Sequence, residues 1–185
     1  MELAVHHITT LKTWTDLKLD NAAREQLTDL QQQLKKDYGV ASAKQSRRQI
    51  GSAVLFNGSS GADGQSAAAL LGQESGMEVY SINLAGINSK YIGETEKNID
   101  RVFAEAKDRK WILFFDEADA LFGKRSETKD SHDRYANAEL NYLLQRIEDY
   151  NGLVIIATNM KSNVDDAFTR RFRYIVDFPF PDHNK

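Results

Sequence analysis

The stretch Trp111-Ile112-Leu113-Phe114-Phe115-Asp116-Glu117-Ala118-Asp119 decides how the rest of the chain is read. Its five consecutive large apolar residues are too few for an ordinary helix and rich in aromatics. They predict a strand buried on both faces, as in the middle of a parallel sheet. Two adjacent carboxylates follow at its carboxyl end, where open parallel sheets bind ligands. Asp116 is then placed to hold a hydrated Mg²⁺, and Glu117 to orient or deprotonate a water. The alternative is an acidic pair capping the next short helix. This segment alone does not separate the two.

Working outward, the flanks repeat one theme. Ser52-Ala53-Val54-Leu55-Phe56 is a short apolar strand, followed by the glycine-rich turn Asn57-Gly58-Ser59-Ser60-Gly61-Ala62-Asp63-Gly64-Gln65. A helix begins at Ser66 and stops near Gly76, and Val79 to Leu84 alternates as a strand does. Ile99, Val102, Phe103 and Ala106 share one helical face ahead of the central strand. Behind it come a charged loop over 123–133 and an amphipathic helix marked by Leu140, Leu143, Leu144 and Ile147, closed by Asn151-Gly152. Leu153-Val154-Ile155-Ile156-Ala157 is another buried strand, ending in Thr158-Asn159, and residues 174–180 form the last one. Strands alternating with helices predict an α/β fold, a three-layer sandwich around a five-stranded parallel sheet.

Before this core, residues 1–19 show little periodicity, though Trp14 is a natural anchor. Asn21 is a candidate N-cap for a helix carrying Leu27, Leu30 and Leu34, which ends at Tyr38-Gly39. The expected organisation is an N-terminal linker and helix over 1–50 and an α/β core over 51–185.

At 185 residues the chain is long enough to bury a core, and its composition is that of a globular protein, 41% hydrophobic and 28% charged. A net charge of −3 argues against general nucleic-acid binding. With no cysteine, disulfides and thiolate metal sites are excluded. No apolar run approaches the roughly 20 residues that span a bilayer, and no signal peptide is visible. No membrane partner and a cytoplasmic setting are the expectations. His6 and His7 lack a spaced partner and read as exposed polar residues.

The order strand, glycine loop, helix, strand ending Asp-Glu, strand ending Asn resembles that of the AAA+ ATPases, over roughly residues 13–185. Ser89-Lys90-Tyr91-Ile92-Gly93-Glu94-Thr95-Glu96, Phe115 to Phe122, and Asp165-Asp166-Ala167-Phe168 ahead of the arginines resemble the AAA clade in its narrow sense. Phe122-Gly123-Lys124-Arg125-Ser126-Glu127 and Asp133-Arg134-Tyr135-Ala136-Asn137 are similar to AAA proteins of contractile injection and phage-tail-like systems.

The resemblance implies a core that binds and hydrolyses ATP with Mg²⁺, in a remodeller of proteins or protein assemblies that works as a homo-oligomeric, hexameric ring. By position, Asp116 resembles the Walker B Mg²⁺ partner, Glu117 the catalytic base and Asn159 the sensor-1 asparagine. Arg170, Arg171 and Arg173 fall where arginine fingers act on a neighbouring subunit's ATP; a solvated basic turn is the alternative. Lys90, Tyr91 and Ile92 fall at the first pore loop, which grips an extended polypeptide, and Lys124 and Arg125 at a second. The same positions allow an aromatic packed under a loop and an exposed charge run.

The glycine loop departs from the pattern. Walker A requires G-x-x-x-x-G-K-[ST], whose backbone N–H groups cradle phosphate, whose lysine neutralises charge and whose hydroxyl meets Mg²⁺. Counting from Gly58 puts Asp63, Gly64 and Gln65 at the last three places. Counting from Ser59 restores Gly64 and offers Ser66 to Mg²⁺, with Gln65 in place of lysine. The implied nucleotide contacts, Gly58, Ser59, Ser60, Gly61, Ala62, Asp63, Gly64, Gln65 and Ser66, thus contain no lysine in either register. A carboxylate about 4 Å from a phosphate charge is repelled by roughly 4 kcal/mol at an effective dielectric near 20. Impaired binding, or a pseudo-ATPase with a structural or regulatory role, is therefore the alternative to a working enzyme. Lys44, Arg47 or Arg48 are candidate outside sources of charge. The helical lid, which in this family follows the core, is not expected, because only three residues follow Phe178-Pro179-Phe180-Pro181-Asp182.

Overall fold

The computed structural model describes residues 5–38, 52–58, 62–87, 93–119, 131–159 and 166–179. The central strand, β4 (Ile112–Asp116), lies in the interior of a six-stranded sheet. Its neighbours are β3 (Val79–Asn83) and β5 (Leu153–Thr158), and β5 in turn pairs β2 (Ser52–Asn57). Beyond β2 lies β6 (Tyr174–Asp177), and these five strands are all parallel. The expected five-stranded parallel sheet is therefore present. To it the N-terminal segment adds β1 (Val5–His7), a short antiparallel strand on the free edge of β3, pairing Val5 with Ile82 and His7 with Tyr80.

Alternation along the strands divides two cores. On β4, Ile112 and Phe114 face one side and Leu113 and Phe115 the other, and all four are fully buried. Each such side chain contributes roughly 1.5–3 kcal/mol by leaving water. One side is covered by α1 (Asn21–Tyr38) and α2 (Ala62–Ser75), through Leu27, Leu30, Leu34, Ala67, Ala68 and Leu71. The other is covered by α4 (Glu94–Ala106) and α5 (Ser131–Glu148), through Ile99, Val102, Phe103, Leu140, Leu143 and Ile147. Short helices α3 (Leu84–Ile87) and α6 (Asp166–Thr169) complete the chain. Phe168 and Phe172, which bracket the end of α6, stack edge to face and enter the second core.

Helix α1 starts where the leucine spacing places it, but its cap is Asp20 rather than Asn21. The Asp20 carboxylate accepts from Ala23 N at 2.7 Å, and its backbone carbonyl accepts the first helical bond, from Arg24 N. A carboxylate at this place also meets the positive end of the helix dipole. The segment before it is tied to the body: Trp14 Nε1 donates to Glu74 at 2.7 Å, Gln73 donates to the Thr10 carbonyl, and Ile8 N donates to the Val79 carbonyl. Residues 5–38 thus pack as part of the core. Gly152 is required by close approach, since a Cβ there would lie 2.6 Å from the Trp111 carbonyl oxygen. That oxygen also accepts the Tyr150 hydroxyl at 2.8 Å. Among the described residues no helix is long and apolar enough to cross a membrane.

Candidate functional site

Parallel pairing places the ends of β2, β5 and β4 along one rim. Asn57 registers with Thr158, and Phe115 with Ile156, so Gly58, Asn159 and Asp116 emerge beside one another. The sheet also reverses direction here. From β2 the chain crosses through α2 to β3, beyond β5 and β4, and β6 later returns to β2's other side. Such a switch point opens a crevice between strand ends.

At β2 the chain leaves through Gly58 at φ 75°, a left-handed conformation that glycine adopts without strain, and Gly58 N donates to the Thr158 carbonyl at 2.8 Å. Ser59, Ser60 and Gly61 lie outside the described residues. Ala62 opens α2, so Asp63, Gly64, Gln65 and Ser66 occupy its first turns. Gln65 Nε2 donates to Asp116 Oδ2 at 2.9 Å, and Ser66 is buried at 9% exposure. Asp63 Oδ1 lies 3.0 Å from the ammonium of Lys12, a residue 51 positions earlier.

At β4 the half-buried Asp116 is held from two sides, because Oδ1 accepts from the Glu117 backbone N at 2.9 Å and Oδ2 from Gln65. Glu117 is exposed and has φ 55°, a left-handed backbone unusual for a residue with a Cβ. Ala118 N then donates to the Ala157 carbonyl at 3.1 Å, turning the chain along the end of β5. Asp119 completes the crossing: its carboxylate accepts from the Thr158 hydroxyl and from Asn159 N at 3.1 Å. Asp119 was not singled out among the sequence candidates. The signal available was its place three residues after Asp116, in reach of the next strand end.

Asp116, Glu117, Asn159, Gly58 and the first turn of α2 are therefore brought together at one mouth. The arginines divide. Arg171 pairs with Glu148 at 3.0 Å within the chain, the Arg173 guanidinium lies 5.7 Å from the Tyr174 ring centroid, and Arg170 is exposed. Lys90, Tyr91 and Ile92, Lys124 and Arg125, and Lys44, Arg47 and Arg48 lie outside the described residues.

Hard oxygen ligands suit Mg²⁺, which needs only one or two protein carboxylates when phosphate and water complete its shell. Asp116 fits that role, since a carboxylate keeps acceptor capacity beyond two hydrogen bonds. Among the described residues no group of three or more His, Cys, Asp or Glu forms a self-sufficient metal cage. A metal here would depend on its phosphate partner.

The sequence pattern of the ATPase family associated with various cellular activities (AAA) matches residues 54–180. Spastin of Ixodes scapularis is 34% identical over 117 residues, which are 60% of this chain and 18% of that protein. Vacuolar protein sorting-associated protein 4B of Mus musculus is 34% identical over 106 residues, 56% of this chain and 24% of that one. The chain thus spans a quarter or less of these two relatives. In fold it matches the crystal structure of the FIGL-1 AAA domain with a TM-score of 0.67, covering 95% of this chain and 57% of that chain at 22% identity.

Proposed function

The chain belongs to the AAA ATPase family, and from that premise we propose that it is the nucleotide-site core of a ring-forming, cytoplasmic remodeller of proteins or protein assemblies, with an impaired phosphate cradle of its own. The observation that carries this reading is the state of α2's first turn. Asp63 and Gln65, which in the register counted from Gly58 stand at the glycine and hydroxyl places, engage Lys12 and Asp116. That register is supported by Gln65, whose amide meets the carboxylate that a Walker A hydroxyl would share with Mg²⁺. A carboxylate at the cradle opposes phosphate by like charge, and no lysine stands in the loop to offset it.

Bound Mg·ATP would supply the metal charge and the scissile phosphate. For their part, Asp116 would hold the metal, Glu117 would orient water and Asn159 would steady it, as phosphoryl transfer needs positioning and charge neutralisation. Arg170, Arg171 and Arg173 would supply the fingers toward a neighbouring subunit's nucleotide; all three are exposed, and Arg171 would have to leave Glu148 to reach it. Lys90, Tyr91 and Ile92 would serve the polypeptide channel. A second reading, an unusual loop that still turns over ATP, is favoured by the convergence of Asp116, Glu117 and Asn159 on one mouth.

Calorimetric titration with Mg·ATP tests the proposal, with the triple substitution Asp63→Gly, Gly64→Lys, Gln65→Thr as comparison. Tightening by roughly a hundredfold or more in the triple variant is expected, from the lost repulsion and the gained lysine. Equal affinity in the two proteins would overturn the impairment and favour the second reading. No binding by either would overturn the nucleotide site itself.

A further inference from the structure

We infer that Lys12, carried by the N-terminal segment, is the phosphate-facing cation of this nucleotide site, and that Asp63 is the internal anion that holds it in place; the inference rests on the reading above. The glycine loop contains no lysine in either register. Among the described residues, Lys12 is brought to the first turn of α2, with Nζ 3.0 Å from Asp63 Oδ1.

Lys12 is aimed by its anchors. Thr10 and Trp14, on either side of it, bond Gln73 and Glu74 near the far end of α2. Asp16 fixes the following turn by accepting from Thr13 N at 2.7 Å and from the Thr13 hydroxyl at 2.8 Å. Residues 63 and 73 are roughly 15 Å apart along a helix, at about 1.5 Å per residue. The segment thus spans the helix, bonding its far end through Thr10 and Trp14 and its first turn through Lys12.

The chemistry suits a polyphosphate. An ammonium has three donors and acts as a compact charge, and Asp63 accounts for one of the three. The pair is also open, with side-chain exposures of 43% for Lys12 and 27% for Asp63, so a phosphate oxygen can reach it from solvent. The α2 N-terminus beside it favours anions through its first-turn N–H groups and its dipole. Asp63 then has two opposed effects. It keeps Lys12 at the mouth, and it competes with phosphate for the same charge.

The opposed effects give a test by sign. Inorganic pyrophosphate and Mg·ADP are titrated calorimetrically into the native chain, Lys12→Gln, Asp63→Asn and the double variant. Asp63→Asn should tighten binding roughly tenfold by removing the competing anion, with solvent screening reducing the larger unscreened effect. Lys12→Gln should weaken it about fivefold or more and flatten its salt dependence. The double variant should lose the whole Asp63→Asn gain, and where native binding is too weak to read, this comparison decides. Because an exposed ion pair adds little stability, all four proteins should melt within a few degrees of one another. A gain that survives in the double variant would overturn the role of Lys12. So would measurable binding by the native chain with no response to Lys12→Gln or Asp63→Asn. Failure of the triple variant itself to bind Mg·ADP would overturn the proposed function, and this assignment with it.

Discussion

Replacing Glu117 with glycine should make the protein more stable while deleting the carboxylate proposed above to orient water. Glu117 has φ 55°. For an L-residue the left-handed region costs roughly 1–2 kcal/mol, because Cβ crowds the following carbonyl. Glycine removes that cost but loses more freedom on folding, by roughly 0.5–1 kcal/mol. The net expectation is a gain of about 0.5–1 kcal/mol. In a chain of this length that raises the melting temperature by about 1–4 °C. Glu117→Ala is the comparison, since it removes the same charge and side chain but keeps Cβ. The backbone bond from residue 117 to Asp116 is available to all three proteins. Lys110, at φ 51° in the turn before β4, provides an independent calibration. Urea denaturation should therefore rank glycine above alanine at both positions by similar amounts. A glycine advantage at 110 with none at 117 would refute the argument that the left-handed backbone at Glu117 is strained. In the expected case the strain sits at the mouth where β2, β5 and β4 end, in keeping with the role proposed for Glu117.

Asp119→Ala should destabilise the fold by about 2 kcal/mol, because the Thr158 hydroxyl and Asn159 N both lose a charged acceptor; Asp119→Asn, whose amide oxygen still accepts, should cost less, and thermal melts of the two variants check the order. The alkaline limb of stability should depend on Tyr38. Burial raises its hydroxyl to about 12 from an ordinary 10.0, with the neighbouring Asp37 charge adding to the effect. Stability from this group is thus complete below pH 10 and lost as pH rises toward 12, since the unfolded chain releases its proton first. Tyr38→Phe, which also gives up the bond to the Asn151 carbonyl, should show a shallower loss over that range in denaturation measured against pH. Burial raises the Tyr150 hydroxyl too, so a residual slope should remain.

The parts of this fold that could be read from the sequence are those written in local pattern. Ile112 to Phe115 and Leu153 to Ala157 are apolar on both faces because helices cover both sides of the sheet, and an unbroken apolar run records that directly. Asp116 and Glu117 were legible as site candidates because they follow such a run, and Asn159 through the resemblance to AAA+ ATPases. What was not legible depends on partners distant in the chain. Val5–His7 is too short to show a period, and only the free edge of β3 makes it a strand. Lys12 and Asp63 are 51 residues apart, and nothing in either neighbourhood names the other. That Asp20 and not Asn21 is the cap shows only in its bonds from Ala23 N and Arg24 N, since two adjacent good cap formers look alike in sequence. Arg171 looked equivalent to Arg170 until Glu148, on another element, was placed beside it.

The rim formed by β2, β5 and β4 has a consequence for how this site can change. Neighbouring strands sit about 4.8 Å apart, a spacing set by main-chain hydrogen bonds and indifferent to which side chains stand at the ends. The mouth is therefore a row of fixed positions, across which side chains such as Gln65 and Asp116 still bond one another. Asp63 and Gln65 can occupy their places while Asp116 and Asn159 keep their positions, because the ladder, and not a ligand, holds the spacing. Chemistry at such a rim is separable in parts. On the proposed function, phosphate capture would then be altered by exchange of Asp63 and Gln65 with the strand ladder left as it is.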